Sequence, residues 1–302
     1  MNKNRESTSS SSDDGYNSDN QSKQAQKYNI ARDTALFKKN YQVVELLNNS
    51  ANGVLYSGKI TNYLISFNSF ISGIEVSTNK TVVIKQVPKI KINSYVNVDG
   101  RPVPKEFHIH RVASSIDGVV KAFEWFERRT SWVLVMDKPA NCIDIFDFTS
   151  QYGTVTEECA VNIISNIVNT CATMFKNGIF HRDIKDENVL LNPSNLETHV
   201  IDFGCATQTS SKQQMFRNFA GTPDYTAPEY FCTGVLDQEK STIWNIGCLF
   251  YILLFGEVPF KSKDEIVSGQ IEIVSEFKLR RQVAYNKLFR MKISFRRKQS
   301  IF

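Results

Sequence analysis

The chain has 302 residues, of which 41% are hydrophobic, and its formal net charge is +5. This length and apolar content predict one large domain or two lobes with a sizeable core. The six cysteines form no C-x-x-C pair, so neither a zinc site nor a disulfide framework is indicated. The longest apolar run, at 246–255, is shorter than the roughly 20 residues that a membrane span needs, so we expect a buried helix there.

The N-terminal segment 1–36 is rich in Ser, Asn, Gln and Asp. Such a segment buries too little apolar surface to offset the entropy lost on ordering, so a disordered tail is predicted. Its first residues have no apolar stretch of the kind that a signal peptide requires. We therefore expect a protein of the cytoplasm, with the nucleus as a further location.

Short runs of β-branched and aromatic residues follow this segment and predict strands. The runs are YQVVELL at 41–47, VLYSG at 54–58, TVVIKQV at 81–87 and WVLVMD at 132–137. A short helix is predicted among them at 106–113.

After Pro139 the pattern becomes helical. Thr156 is a candidate N-cap, apolar residues then recur at helical spacing, and Gly178 is suited to end the helix. A strand-rich first half followed by a helix-rich second half predicts an α+β protein of two lobes.

The segment FHRDIKDENVLL at 180–191 carries side chains suited to phosphoryl transfer. Asn188, together with Asp202 at the end of a later apolar strand, offers oxygen ligands for a hard divalent cation. Asp183 is available to accept a hydroxyl proton, and Lys185 to neutralise a transferring phosphoryl group. Positioning and electrostatics of this kind do most of the catalysis in phosphoryl transfer.

Four motifs occur in the order found in protein kinases, and together they resemble that family. They read VVIK, HRDIKDEN, IDFG and GTPDYTAPE. The resemblance implies that Asp183 is the catalytic base and that Lys185 contacts the γ-phosphate of ATP. It also implies that Asn188 and Asp202 bind Mg²⁺.

The same resemblance assigns Lys85 to the α- and β-phosphates and Glu106 to an ion pair with Lys85. Lys185 together with Thr222 resembles a Ser/Thr kinase rather than a Tyr kinase. The implied fold is the bilobal kinase fold, with a small β-rich N-lobe and a larger helical C-lobe.

In detail the chain resembles the PIM family of Ser/Thr kinases over roughly residues 38–273. The segments that carry this likeness include VPKEFHIHRV, KAFEWFERRTSWVLVMDKP and IDIFDF. Pro139 matches a hinge proline that removes one donor to adenine, and Met136 matches the gatekeeper. The residues implied to sandwich adenine are Leu47, Leu55, Val83, Leu190 and Ile201.

The PIM family prefers substrates with Arg upstream of the phosphorylated Ser or Thr, which carboxylates bind in bidentate fashion. The acidic residues that match this role are Asp144, Asp147, Asp186, Glu187 and Glu257. A further acidic position of the family is Ile252 here, which predicts weaker selectivity.

The chain departs from the family pattern in its phosphate loop, where only Gly53 of the expected glycines remains. Asn48 and Ser50 stand at the first two glycine positions. Asn tolerates the left-handed backbone better than most residues and Ser is small, so we expect a loop that closes less easily and binds ATP more weakly.

A second departure is the insertion 59–73, which has no counterpart in the family. It is interpreted as a retained intron or an error in the gene model, or else as a real hairpin extension. Sequencing the transcript distinguishes these readings.

The third departure is the C-terminus. Residues 277–302 carry nine Lys or Arg and no acid, and are interpreted as a basic tail and a truncated remnant of the C-lobe. The last C-lobe helix is missing by this reading. Contact of the tail with nucleic acid or lipid is an alternative to a solvated end, which is favoured.

The predicted organisation is an N-lobe at 37–137 and a C-lobe at 138–276. The predicted activity is transfer of the ATP γ-phosphate to Ser or Thr in basic protein substrates, by a monomer without nucleic acid or membrane partners. The alternative is a pseudokinase that acts as a binding scaffold, and a third possibility is a chain that does not fold stably as written.

Overall fold

The computed structural model describes residues 14–50, 53–60, 63–64, 75–76, 80–209 and 215–269. The chain divides into two compact units, one formed by residues 1–93 and 124–136 and the other by residues 94–123 and 137–302. An antiparallel sheet dominates the first unit and helices dominate the second, which confirms the predicted α+β fold.

The first part of the chain contains most of the strands. In chain order its elements are α1 (Asp14–Asn40), β1 (Tyr41–Ser50), β2 (Gly53–Ile60), β3 (Tyr63–Leu64), β4 (Glu75–Val76), β5 (Thr81–Pro88), a 3-10 turn (Lys89–Lys91), β6 (Tyr95–Val98), β7 (Arg101–Pro104), α2 (Lys105–Ala113), β8 (Ala122–Glu127) and β9 (Ser131–Asp137). The four predicted strands and the predicted short helix are all present. The main sheet has the strand order β1-β2-β5-β9-β8, so β1 and β8 are its edges.

The second part contains the long helices. Its elements are β10 (Ile143–Asp144), α3 (Ile145–Tyr152), α4 (Glu157–Lys176), β11 (Ile179–Phe180), a 3-10 turn (Asp186–Asn188), β12 (Val189–Leu191), β13 (Thr198–Val200), β14 (Thr207–Gln208), β15 (Met215–Phe216), a 3-10 turn (Pro223–Tyr225), α5 (Pro228–Thr233), β16 (Leu236–Asp237), α6 (Gln238–Phe255) and α7 (Lys263–Ser268). The Thr156 hydroxyl caps α4 as predicted, since it accepts from the Cys159 amide at 3.3 Å. The apolar run 246–255 lies in the buried part of α6, as expected.

One hydrophobic core holds the second unit together. It contains Ile163, Ile167 and Met174 of α4 with Leu249 and Leu253 of α6, all of them fully buried. Burial of large aliphatic side chains is the main favourable term in folding, so this core fixes the loops that leave its strands and helices. Within the part of the chain that the structure describes, no helix combines the length and apolar character needed to cross a bilayer.

Helix α1 corrects the prediction of a disordered tail over residues 1–36. From Asp14 the segment is helical and runs to Asn40, while residues 1–13 lie outside the described residues. Composition alone misses the anchor at the end of this helix, where Asp33 and Phe37 are each only 3% exposed. A polar helix is ordered when a few such residues dock on a preformed surface, because tertiary packing supplies most of helical stability.

The division into units differs from the predicted lobes at residues 94–123. These residues group with the second unit because the Val200 amide donates to the Gly118 carbonyl at 2.7 Å and the Val120 amide donates to the Val200 carbonyl at 3.1 Å. The sequence pattern around 94–123 does not reveal this pairing with a strand some 80 residues later.

The structure describes only part of the second and third departures from the family pattern, the insertion 59–73 and the C-terminus. Tyr63–Leu64 pairs antiparallel with Glu75–Val76, so two short strands frame most of the insertion. Lys59 and Ile60 belong to β2 and pair with β1. The predicted loss of the last C-lobe helix concerns residues after 269, which lie outside the described residues.

Candidate active site

Asp183 is held at both carboxylate oxygens. The Thr222 hydroxyl donates to Oδ1 at 2.8 Å, and the Asn188 side-chain amide donates to Oδ2 at 3.0 Å. The same Asn188 amide group also donates to the Asp183 carbonyl at 2.8 Å. Hydrogen bonds to both oxygens of a carboxylate fix its rotamer, and a general base must be held in position in this way.

His181 contacts the backbone of Asp183, and the sequence analysis assigned it no role. It is buried, its Nδ1 accepts from the Asp183 amide at 3.4 Å, and its Nε2 donates to the Ile201 carbonyl at 2.9 Å. Burial lowers the pKa of His181, which keeps the ring neutral and fits this donor and acceptor pattern. The histidine therefore ties the catalytic loop to the end of β13.

Gly221 is a second residue whose part the sequence reasoning missed. Its φ is +120°, and a Cβ there would lie 2.6 Å from the Arg182 carbonyl oxygen and 3.5 Å from Asp183 Oδ1. Only glycine combines this backbone conformation with such a close approach. It brings Thr222 into reach of Asp183. The glycine that opens GTPDYTAPE was the available signal.

Lys185 forms an ion pair with Glu187. Burial acts to lower the pKa of Lys185, but the hydrogen bond to Glu187 and the charge of Asp183 outweigh it, and the pKa is raised. The ammonium group therefore stays charged beside Asp183, as a group that neutralises a phosphoryl oxygen must.

Asn188 and Asp202 fit a magnesium ion by the chemistry of their atoms. The side-chain nitrogen of Asn188 donates to Asp183, which leaves the side-chain oxygen available to a metal ion. The Ile201 amide donates to the backbone carbonyl of Asn188 at 3.0 Å. Asp202 has a φ of +61°, and the Gly204 amide donates to its Oδ1 at 3.2 Å. Hard oxygen ligands are what Mg²⁺ prefers, and it keeps several sites for water and phosphate. Among the described residues, no group of three or more His, Cys, Asp and Glu has the geometry of a metal site.

In the first unit, three of the predicted nucleotide residues, Leu55, Val83 and Lys85, share one face of the sheet. Leu55 pairs with Lys85 and Ser57 pairs with Val83 across β2 and β5, and paired residues of antiparallel strands point to the same side. Lys85 is 7% exposed. This face therefore combines an ammonium group with the apolar side chains of Leu55 and Val83.

Gly53 opens β2 with a φ of +150°. A Cβ at this position would lie 2.8 Å from the Gln86 carbonyl oxygen, so the remaining glycine of the phosphate loop is required by the sheet itself. Leu47 on β1 is 42% exposed and stands beside a register shift between Leu46 and Asn48.

The other residues predicted to contact nucleotide are divided between the units. Met136 on β9 is buried in the first unit. Leu190 on β12 and Ile201 after β13 are half-buried in the second. Glu106 also belongs to the second unit, where its carboxylate lies near Gly204. Its ion pair with Lys85 stays a prediction.

Four of the five predicted substrate-binding acids act on one another. Burial raises the pKa of Asp144 most, and the charges of Asp147, Asp186 and Glu187 raise it further. Burial also raises the pKa of Asp186, whose Oδ1 accepts from the Tyr225 hydroxyl at 2.9 Å. We call these four residues the acidic group.

The fifth acid, Glu257, lies in the loop after α6. Its carboxylate pairs with Lys261 at 3.5 Å.

His110 of α2 is a packed, buried side chain. It is 1% exposed, it contacts the Val120 carbonyl at 2.8 Å, and its ring stacks on Phe203 with 4.6 Å between centroids. The ring of His181 meets the Phe203 ring edge-on, with 4.9 Å between centroids.

The second unit thus brings together a positioned carboxylate, a charged lysine and two side chains with oxygen atoms suited to a metal ion, and phosphoryl transfer uses groups of these kinds. The model of the protein kinase domain matches residues 66–301. This match spans well over half of the chain, which therefore belongs to the protein kinase family.

Several characterised relatives are Ser/Thr protein kinases. The chain is 28% identical over 241 residues to serine/threonine-protein kinase prk-2 of Caenorhabditis elegans, covering 80% of this chain and 51% of that protein. It is 30% identical over 214 residues to serine/threonine-protein kinase pim-2 of Danio rerio, covering 68% of each. A PAS domain-containing serine/threonine-protein kinase of Mus musculus is 28% identical over 66% of this chain and 14% of its own length. The aligned region thus spans about half of the nematode relative.

Proposed function

We propose that this chain is a Ser/Thr protein kinase that transfers the γ-phosphate of ATP, with Mg²⁺, to Ser or Thr in Arg-rich protein segments. The observation that carries the proposal is the fixed Asp183 carboxylate, with Thr222 and Asn188 on its two oxygens. Family membership and the named relatives support the same activity.

Asp183 accepts the proton of the substrate hydroxyl as the new bond from oxygen to the γ-phosphorus forms. The bond from that phosphorus to the β,γ-bridging oxygen breaks, and ADP leaves with the electron pair. Lys185 stabilises negative charge on the transferring group, because its ammonium stays protonated beside Asp183. His181 and Thr222 keep the base in place.

Asn188 and Asp202 would hold the magnesium ion. The ion supplies charge neutralisation on the phosphate oxygens. Lys85, on the same sheet face as Leu55 and Val83, is proposed to bind the α- and β-phosphates.

The acidic group supports a preference for arginine upstream of the acceptor residue. Carboxylates clustered beside the catalytic loop attract guanidinium groups and bind them in bidentate fashion. The relative named pim-2 supports a PIM-like specificity. A monomer located in the cytoplasm or nucleus, and without nucleic acid or membrane partners, completes the proposal.

Transfer of labelled γ-phosphate from MgATP to an Arg-rich Ser peptide tests the activity. We expect transfer by the chain as written and none above background by Asp183→Asn, which keeps the shape of the side chain but loses its basicity. A version without residues 59–73 runs beside them. If only the version without residues 59–73 transfers phosphate, the insertion is what prevents activity in the chain as written. If both versions fold and neither transfers phosphate, the proposal is contradicted.

A pseudokinase scaffold is the second candidate, favoured by a phosphate loop with one glycine, Gly53. The melting temperature with and without MgATP tests whether the chain binds nucleotide, since a ligand of the native state raises that temperature. Partner binding without phosphate transfer is the outcome that fits the scaffold.

A further inference from the structure

Helix α1 docks on the main sheet through an aromatic cluster. The ring of Phe37 stacks on Tyr41 with 5.6 Å between centroids and meets Phe126 edge-on at 5.5 Å. The guanidinium carbon of Arg128 lies 4.4 Å from the centre of the Phe37 ring. Phe37, Tyr41 and Phe126 are all buried, so the end of α1 is part of the core of the first unit.

The buried carboxylate of Asp33 fixes the orientation in which α1 docks on the sheet. Asp33 Oδ2 accepts from the backbone amide of Glu127 at 2.7 Å, and Arg32 contacts Oδ1 at 3.3 Å. Glu127 ends β8, which is an edge strand of the main sheet in the part of the chain that the structure describes, and edge strands offer backbone groups to further elements. The Glu127 carboxylate in turn binds Lys89 at 2.5 Å and Gln26, also on α1, at 3.3 Å.

Tyr41 joins this docking site to β1. It is the first residue of β1 and follows α1 without any connecting residue. Its ring lies 5.9 Å from Phe126, and its hydroxyl donates to Glu124, so it contacts β8 at the opposite edge of the strand order. The end of α1 therefore links the two edge strands of the sheet.

Beyond Tyr41, β1 has little packing of its own. Val44 is 53% exposed and Leu46 is 59% exposed, and among the β1 side chains that the structure describes, 41–47, only Tyr41 is buried. Two register shifts interrupt the pairing of β1 with β2. An edge strand held by one ladder and one buried residue depends on the anchor at that residue.

We propose that α1 is a positioning element for ATP, in which Asp33 and Phe37 hold β1 and thereby the nucleotide face of the sheet. This inference rests on the proposed function, because β1 carries Leu47 and runs into the phosphate loop. Neither Asp33 nor Phe37 is a catalytic residue. They act through Tyr41 by raising the fraction of molecules in which β1 is in place.

The test uses the full chain with Phe37→Ala, Asp33→Ala and two controls. Asp33→Asn retains an oxygen that can accept from the Glu127 amide. Leu36→Ala changes an exposed neighbour on the same helix. The kcat, the KM for ATP, the KM for the Arg-rich peptide and the melting temperature are measured for each.

We expect both disruptive variants to raise the KM for ATP about threefold or more, because the apparent affinity scales with the binding-competent fraction. The KM for peptide should stay at the parent value, and Asp33→Asn and Leu36→Ala should resemble the parent. Disruptive variants that melt at a lower temperature but keep the parent KM for ATP would overturn the inference, as would an Asp33→Asn variant as impaired as Asp33→Ala.

The outcomes separate this inference from the proposed function. A parent chain that transfers phosphate while the variants show no change in KM for ATP overturns the inference alone. If the parent transfers nothing, the dissociation constant for MgATP, taken from the melting shift, replaces KM, and the same pattern is expected. A parent that binds no MgATP overturns both. If Phe37→Ala does not fold, the comparison of Asp33→Ala with Asp33→Asn decides.

Discussion

The catalytic segments of the second unit and the nucleotide face of the first unit are held in different ways. Asp183 is fixed by two side chains and by the histidine two residues before it. On the nucleotide face, Leu55 and Lys85 are aligned by the ladder between β2 and β5, while β1 beside them is largely exposed. One region is a closed hydrogen-bond network and the other is a sheet surface with a weak edge.

This difference has a consequence for how each region tolerates change. In a closed network each member orients the next, so losing one contact displaces the base itself. On the sheet, the face is set by strand pairing, and Asn48 and Ser50 lie at the end of β1, where they pair with Leu55 and Gly53 of β2. We therefore expect sequence changes in the catalytic network to reduce kcat and those in the phosphate loop to change the KM for ATP.

Among changes to the residues that position Asp183, the largest expected effect comes from Gly221→Ala. A Cβ 2.6 Å from the Arg182 carbonyl forces the backbone beside Thr222 and Asp183 to move. A displacement of about 1 Å in such a site costs about 100-fold in rate, so kcat should fall by about that factor. Gly234→Ala is the matched control, since its φ is also positive, at +68°, but nothing lies within 4 Å. Equal loss in both variants would show that backbone strain alone is responsible.

Asp186→Asn should have a smaller effect, confined to the peptide. The variant keeps an oxygen for the Tyr225 hydroxyl but removes one charge from the acidic group. We expect the KM for an Arg-rich peptide to rise about tenfold, the worth of one charge-assisted contact. A peptide with Ala in place of Arg should show no such change, and Asp264→Asn, an exposed acid on α7, should match the parent. An equal loss with both peptides would contradict the assignment.

Restoring glycine in the phosphate loop should improve ATP binding by a modest factor. Asn48→Gly with Ser50→Gly returns the two glycines of the family pattern, and glycine allows a backbone to approach a ligand more closely than other residues do. We expect the KM for ATP to fall about fivefold, the equivalent of about 1 kcal/mol, with kcat unchanged. A KM for ATP that stays at the parent value would show that the loop is not limiting.

Much of the fold and of the catalytic network could be predicted, because both are encoded locally. The strand runs, the Thr156 cap and the spacing within HRDIKDEN each depend on residues close in sequence. The role of His181 was missed because it depends on a buried ring that lies between the Ile201 carbonyl and the Asp183 amide. The role of Gly221 was missed because it depends on a positive backbone φ. Neither is visible as a pattern of hydrophobicity or charge.

The helix α1 shows the limit of composition as a guide. Its sequence reads as disordered because its polar residues greatly outnumber its apolar ones. Its order comes from Asp33 and Phe37, whose partners Glu127 and Phe126 lie about 90 residues away. A contact of that kind requires the assembled sheet, so no local property of the segment could predict it.

The smallest predicted effect is a pH dependence of the KM for the Arg-rich peptide that the KM for ATP does not share. Burial raises the pKa of Asp144 and of Asp186 above the ordinary 3.8, so acidification neutralises these two carboxyls earlier than usual. The protonated form is favoured in the folded chain, and the charge that attracts arginine is therefore lost as the pH falls from neutrality towards the raised pKa.

In that range Asp186 of the parent becomes neutral, like the side chain of the Asp186→Asn variant. The ratio of their KM values for the Arg-rich peptide should therefore shrink, by about threefold or less, while their ratio of KM values for ATP stays constant. A peptide ratio independent of pH would mean that the charge of Asp186 does not contribute to arginine binding.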